Sequence, residues 1–274
     1  MKKTRRTALT QAQREHFRRR GFVRLEGCFT AADAKPWADD AWRRLGLDPE
    51  RPETWPGKRA ALPGESAVRV CDFAPKACAA ILEIVGGPDR LVEGDRFTLS
   101  NSFVIQFPLL EPTPWEPPSA ANLSNWHIDG DVGKRFLDSP EPGLLMWALW
   151  SDARPRGGGG TYLACDSVPL IARHLKDHPE GVTKFELPTK TIITGCKDFF
   201  EFSGRAGDVV LAMPYMMHKE SVNHSKRARL LSARAIGLRE PLDLNRADPR
   251  EFSLIERTLL SGLGLERLDF RRTA

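Results

Sequence analysis

The alternation of apolar and polar positions changes period once along the chain, near residue 96. Before that point the pattern is helical, punctuated by caps. Thr10 and Gln13 have the spacing of a capping box, and Gly21 stops that helix. Phe22 to Leu25 then reads as a short strand. Thr30 and Asp33 repeat the capping logic for a second helix, which carries Trp37 and Trp42 and ends near Gly46. Ala74 to Val85 predicts a third helix, closed by Gly86-Gly87-Pro88. From Arg96 onward, Phe97, Leu99, Phe103, Ile105 and Phe107 alternate with Thr98, Ser100, Ser102 and Gln106, the period of a half-buried strand. Further strands are expected at Leu144–Trp150, Thr161–Ala164, Lys184–Leu187, Thr191–Thr194, Val209–Met213 and Leu230–Ile236, with a helix near Leu170–Leu175. Short strands separated by Gly and Pro turns point to an antiparallel sandwich or jelly roll, mainly β with flanking helices. The proline-rich stretch from Pro108 to Pro118 reads as an ordered loop or a lid, and Glu251 to Leu260 as an outer helix.

A chain of 274 residues that is 41% hydrophobic can bury one large core. The pattern suggests one domain over 1–274, with a helical part over 1–95, a β core over 96–238 and a helical extension over 239–274. The formal charge is +5, with much of the excess in Lys2-Lys3, Arg5-Arg6 and Arg18-Arg19-Arg20. A solvated tail and a helix end explain these clusters more simply than a nucleic-acid patch, and a mildly basic protein suits an anionic small substrate equally well. The five cysteines are widely spaced and form no C-x-x-C pair. Reduced thiols in a soluble cytoplasmic protein are therefore expected, with neither a zinc ribbon nor a disulfide framework. The N-terminus is basic but lacks a signal peptide's apolar core, and no apolar run approaches the length of a membrane span, so neither a membrane nor a nucleic-acid partner is expected.

The chemistry begins at His127-Ile128-Asp129, just before Gly130. On a strand, residues i and i+2 face the same way, so an imidazole and a carboxylate converge without a special turn. Neutral nitrogen plus anionic oxygen suits Fe(II), and a histidine from a distant strand would complete a facial triad with open positions. Alone, the pair is a weak signal. Downstream, Gly207-Asp208 turns into the apolar strand Val209–Met213, at whose end stands His218. His224 competes for the role of third ligand but falls in a polar turn. Asp131 competes with Asp129, from across Gly130.

After His218 the chain places Asn223, Ser225 and Arg229 in the spacing H-x4-N-x-S-x3-R, leading into the last strand. This resembles the distal half of the phytanoyl-CoA dioxygenase family. The likeness runs from about Leu9 to Leu238, with Gly21-Phe22-Val23 similar to the family's opening and Gly157 to Leu163 in place of its glycine-bearing turn. Two stretches depart from it. The usual P-G-S-H is here Ala164-Cys165-Asp166-Ser167, and the common H-G-S-G is His218-Lys219-Glu220-Ser221.

The resemblance implies a double-stranded β-helix of cupin type. It also implies His127, Asp129 and His218 as ligands of Fe(II), with 2-oxoglutarate as co-substrate and O2 as oxidant. The reaction implied is oxidative decarboxylation of 2-oxoglutarate to succinate and CO2, coupled to hydroxylation of an unactivated C–H of a small metabolite. Arg229 would hold the co-substrate's distal carboxylate, since a guanidinium binds a carboxylate bidentately and keeps its charge when buried. Its phasing agrees: Arg229, Leu231, Ala233 and Ala235 share one strand face. Trp147 stands on the strand whose family counterpart often carries a tryptophan beside the co-substrate, and reads equally well as a core aromatic. Gln106 faces either the ligands or solvent. Asn223 and Ser225 fit the turn before the last strand. Lys134, Arg135 and Phe136 follow the proximal ligands and could contact an anionic substrate, or be ordinary loop residues. Asp129 argues against halogenation, which needs the carboxylate's position vacant. Desaturation, cyclisation and epimerisation stay open. Two other classes also fit: a jelly-roll metal enzyme that does not use 2-oxoglutarate, and a binding module of the same fold without turnover.

Overall fold

The local capping signals become helices where they were read. In the computed structural model, which describes residues 7–57, 59–92, 97–111, 113–130 and 133–273, α1 spans Gln11–Arg20 and carries a reciprocal Thr10–Gln13 capping box. Gly21 ends it in the left-handed region at φ 73°. The Lys2-Lys3 and Arg5-Arg6 clusters, Arg96 and Asp131 lie outside the described residues. After β1 (Phe22–Leu25), α2 (Ala31–Leu45) repeats the box with Thr30 and Asp33 and closes on Gly46. β2 (Arg59–Leu62), β3 (Ala67–Arg69), the one-turn α3 (Val70–Phe73) and α4 (Pro75–Val85) complete this part.

The alternation between Phe97 and Phe107, expected as one strand, is two: β4 (Thr98–Ser100) and β5 (Phe103–Gln106). Asn101 breaks it. Its buried side chain accepts from the backbone N–H of Glu65 (2.7 Å) and Ser66 (2.8 Å) and donates to Asp40 (2.9 Å), so the chain is held away from a continuous ladder. β4 pairs with β3 in a small sheet of its own, while β5 joins the main one.

The main sheet also contains β6 (Leu144–Leu149), β9 (Val209–Ala212) and β11 (Arg229–Ile236), in the order β1-β9-β6-β11-β5-β2. A three-stranded sheet is built from β7 (Thr161–Ala164), β8 (Phe199–Phe202) and β10 (Met217–Glu220), in the order β10-β7-β8. The pairings are antiparallel, and β6 and β9 are buried along their whole length, as central strands covered on both faces must be. This is a jelly roll with flanking helices. α5 (Ser167–Lys176), α6 (Thr189–Gly195) and α7 (Leu254–Leu263) lie on the β core, and α7 packs against α1, α4 and α5. No helix among the described residues is long and apolar enough to cross a membrane.

Register fixes what the two sheets show each other. Arg229 is opposite Gln106, which is opposite Arg59, so these three form one row across β11, β5 and β2. Ala233 is opposite Trp147, which is opposite Val210. Directly opposed residues share a face, and Arg229 and Ala233 share theirs by the period of two. That face looks onto the three-stranded sheet.

Three expectations are corrected. Thr191–Thr194 is not a strand but part of α6, despite its β-branched run; burial of Ile192 and Ile193 outweighs a propensity difference of well under about 1 kcal/mol per residue. Lys184–Leu187 is a turn, with Glu186 and Leu187 bonded back to Thr183. Cys71 and Cys78, expected as reduced thiols, are disulfide-bonded at the start of α3 and the first turn of α4; Cys28, Cys165 and Cys196 are free and buried.

Gly207 illustrates how tightly the approach to the site is built. It has φ +94°, and a Cβ added there would lie 1.9 Å from the Phe29 carbonyl oxygen. Its own N–H and C=O bind Leu149 (2.9 Å) and Cys28 (2.7 Å), so the backbone cannot step aside. Gly207→Ala should destabilise the fold by about 3 kcal/mol or more, through strain plus a backbone clash. A urea midpoint unchanged from wild type would show that this turn is softer than the contacts imply.

Candidate metal centre

The two histidines meet as cross-strand partners. His127 N donates to His218 O (3.1 Å) and His218 N donates to His127 O (2.9 Å), an isolated antiparallel bridge that adds His127 to the edge of the three-stranded sheet. Opposed residues of such a bridge project to the same side, so both imidazoles face the main sheet, with ring centroids 4.4 Å apart. Asp129 arrives differently from the strand expectation. Only His127 is in a bridge; Asp129 follows in irregular backbone before Gly130, which has φ +99°. Its Oδ1 lies 3.4 Å from His218 Nε2 and 3.7 Å from His127 Nε2. The three donor atoms lie within 4.8 Å of one another.

His218 also departs from its expected position at the end of the apolar strand. That strand, β9, stops at Ala212, and Pro214 cannot extend a ladder. A turn closed by Met216 N to Met213 O (3.0 Å) carries the chain across to the other sheet, where His218 is the second residue of β10. Two side chains hold this crossing. Tyr215 Oη donates to the carbonyls of Phe136 (2.7 Å) and Leu137 (2.9 Å), and Ser167 Oγ accepts from Met217 N (2.8 Å). Ser167 belongs to the Ala164–Ser167 departure, whose Asp166 accepts from the backbone of Lys197 (2.7 Å) and Asp198 (3.2 Å). The altered stretch thus supports the distal histidine's strand.

Both imidazoles are oriented for ligation through Nε2. His127 Nδ1 sits 2.8 Å from the Asn125 carbonyl and His218 Nδ1 sits 3.0 Å from the Met216 carbonyl. A ring that donates Nδ1–H to a carbonyl is fixed in the tautomer whose Nε2 carries a lone pair. Two neutral nitrogens and one carboxylate oxygen, each pre-aimed at one point, fit a facially bound Fe(II). Burial lowers the His127 pKa, helped by the neighbouring His218. For Asp129 burial raises the pKa, yet the His218 hydrogen bond and the positive charges of both histidines and Arg135 hold the carboxyl below its ordinary value. His218 is pushed down by burial but ends above its ordinary value because Asp129 binds it.

Trp147, on β6, packs its ring 4.7 Å from that of His218 and is fully buried. Arg229 is 1% exposed. Its Nε donates to the Gly159 carbonyl and its Nη1 to the Val104 carbonyl (3.1 Å), while Nη2 is buried with no hydrogen-bond partner. Burial lowers its pKa to about 10, so it stays cationic at neutral pH. A buried guanidinium with one open edge fits a carboxylate ligand, because an unpaired buried charge is unfavourable until one arrives. Asn223 anchors the turn that delivers Arg229, donating to Gln106 O and Arg227 O (2.8 Å each) and accepting from Ser225 N (2.9 Å).

A cavity of about 670 Å³ opens from His127 and is lined by Arg59, Gln106, Asn125, Trp126 and Glu220, among others. Glu220 lies two residues after His218 and so shares its inward face. It accepts from Gln106 Nε2 (2.7 Å) and Arg59 Nε (2.5 Å). The proline-rich loop is tied to the outer face of the same sheet, with Tyr162 Oη donating to Glu116 O (2.9 Å) and Lys219 Nζ to Asn122 O (3.2 Å). Lys134, Arg135 and Phe136 do not line this cavity. Lys134 reaches Glu180 O (2.9 Å), the Arg272 guanidinium covers the Phe136 ring, and buried Arg135 donates to the Gly130 carbonyl behind Asp129. His224 sits beside Gly157 and Trp115, apart from the three donors. Arg59 went unnoticed in the sequence, since the Arg-Ala-Ala-Leu of β2 carries no strand signal.

No protein-family model matches this chain, and no curated protein is similar to it in sequence. Solved structures share its fold. The non-haem alpha-ketoglutarate-dependent carbocyclase SnoK of nogalamycin biosynthesis is 14% identical, with a TM-score of 0.51, over 85% of this chain and 86% of that one. EctD from S. alaskensis, in its apoform, is 16% identical, with a TM-score of 0.50, over 85% of this chain and 78% of that one. At these identities the likeness concerns the jelly-roll fold.

Proposed function

We propose that this protein is an Fe(II)- and 2-oxoglutarate-dependent oxygenase that hydroxylates an unactivated C–H of a small metabolite, amino-acid-like or a natural-product intermediate. The observation that carries the reading is a pairing. A His-Asp-His donor set packs against Trp147, on the same face of the main sheet that carries a buried arginine with an open edge. A metal enzyme that does not use 2-oxoglutarate would have no need of Arg229, and an intact donor set argues against a binding module without turnover. The reading is further supported by the spacing from His218 to Arg229, which resembles that of the phytanoyl-CoA dioxygenase family, and by SnoK, which shares the fold and is itself described as alpha-ketoglutarate dependent.

Iron bound by His127, Asp129 and His218 would supply O2 activation coupled to decarboxylation of 2-oxoglutarate to succinate and CO2. The chain's own residues do the rest. His127 Nε2, His218 Nε2 and Asp129 Oδ1 would hold the ion. Arg229 fixes the co-substrate's distal carboxylate, and Trp147 limits the space beside His218. The prime substrate enters from the cavity lined by Asn125, Trp126 and Arg59, where a polar wall can orient it. Fe(II)-dependent conversion of 2-oxoglutarate to succinate by the purified protein, lost in His127→Ala, is the expected result. An intact protein that makes no succinate with Fe(II), with or without candidate substrates, would refute the reading.

A further inference from the structure

Glu220 is the residue that fits least well with a site for a dicarboxylate. It occupies an inward position two residues after a metal ligand, on the side facing the row Arg229–Gln106–Arg59. A fixed negative charge there is repelled by an incoming carboxylate and is attracted to the same guanidinium. Yet the carboxylate of Glu220 is not on Arg229. Its Oε2 takes the amide of Gln106 at 2.7 Å and its Oε1 takes Arg59 Nε at 2.5 Å, one and two strands away from Arg229 in the same row. Arg229 Nη2 remains without a partner.

We propose that Arg59 and Gln106 form a clamp that holds Glu220 off Arg229, and that Arg59 is thereby a positioning residue for the co-substrate. This deepens the 2-oxoglutarate reading and rests on it. The physical case is a competition between two arginines for one carboxylate. Arg59 is half exposed, with its side chain at 51% of full accessibility, whereas Arg229 is buried and one edge short of partners. Glu220 is near enough to Arg229 to offset part of the burial that depresses its pKa. Remove Arg59 and the released carboxylate has a buried, unsatisfied cation beside it. Glu220 would then close on Arg229 from within and act as a built-in competitor for the distal carboxylate. With Arg59 present, the charge of Glu220 is neutralised locally and the edge of Arg229 stays open. The row is a consequence of register: among the described residues β2 pairs with β5 over Arg59–Leu62, and its first residue lies opposite Gln106.

The test is anaerobic calorimetry of 2-oxoglutarate binding to the Fe(II)-loaded protein, with Fe(II) affinity measured separately. Arg59→Ala is expected to raise the 2-oxoglutarate Kd by about tenfold, the size of one partly exposed charge contact. Glu220→Gln in that background should return it to within about threefold of wild type, because the competitor is gone. The Fe(II) Kd should stay within about threefold in both, which a general disturbance of β10 around His218 would not allow. An unchanged 2-oxoglutarate Kd in Arg59→Ala overturns the clamp and leaves the co-substrate reading standing. So does a loss that Glu220→Gln fails to restore, since Arg59 would then act directly or structurally. A wild-type protein that takes up Fe(II) but binds no 2-oxoglutarate overturns both.

Discussion

His218→Ala should weaken Fe(II) binding by at least about a hundredfold and lower succinate formation by about a thousandfold or more. Loss of a residue that merely orients a ligand already weakens metal affinity by about 10- to 100-fold, and His218 is proposed as a ligand itself. The substitution also damages a second donor. Asp129 is held below its ordinary pKa by His218 against a burial effect of opposite sign. Take the imidazole away and the largest influence opposing burial is lost: the carboxyl moves toward easier protonation, hence a poorer ligand. His127, at the exposed edge of the site, would be left as the sole undisturbed donor. The matched control is His224→Ala, six residues on, which sits by Gly157 and Trp115 and should leave Fe(II) affinity within about threefold of wild type. Competition titration against a chelator under anaerobic conditions reads both. Tight Fe(II) binding by His218→Ala, or its loss in His224→Ala, would mean that the distal ligand has been assigned to the wrong histidine.

What the sequence revealed of this site, and what it hid, divides by the range of the interactions involved. Thr10, Thr30 and Gly46 are local devices whose partners lie within four residues, so α1 and α2 could be read to their ends. Arg229 was legible because a strand alternates whatever its neighbours are, and the register now shows Arg229 and Ala233 on the face of Gln106 and Trp147. The bridge between His127 and His218 joins residues far apart in the chain, and no local pattern announces it. Asp129 was expected to converge through a strand's period of two, and instead converges through a loop ending at Gly130. The break at Asn101 depends on two amides from residues 65 and 66, so Phe97–Phe107 looked continuous. The role of Arg59 is the least legible of all, since it needs three strands in register and Glu220 arriving from a different sheet.

Arg229→Met should separate binding from stability, with 2-oxoglutarate affinity falling by about a hundredfold while the ligand-free protein unfolds near the wild-type temperature. The first half follows from geometry. A long apolar side chain fills the guanidinium's volume but offers the distal carboxylate neither charge nor donor. The second half follows from the sign of the pKa shift. Burial lowers the Arg229 pKa to about 10. A base whose folded pKa is lowered opposes folding at every pH below both values, and a shift of that size corresponds to about 3 kcal/mol at neutral pH. Against this stand two hydrogen bonds, to the carbonyls of Gly159 and Val104, whose loss costs about 1–3 kcal/mol each if no other donor replaces them. These opposing effects are of similar size, as expected if the guanidinium is kept for a charged ligand and not for stability. Thermal unfolding of the metal-loaded protein with and without 2-oxoglutarate makes the comparison. Wild type should gain several degrees from the ligand and Arg229→Met none. A ligand-free Arg229→Met that unfolds far below wild type would instead identify the guanidinium as a structural cross-link between β11, β5 and the Gly159 turn, with the open edge of Nη2 incidental.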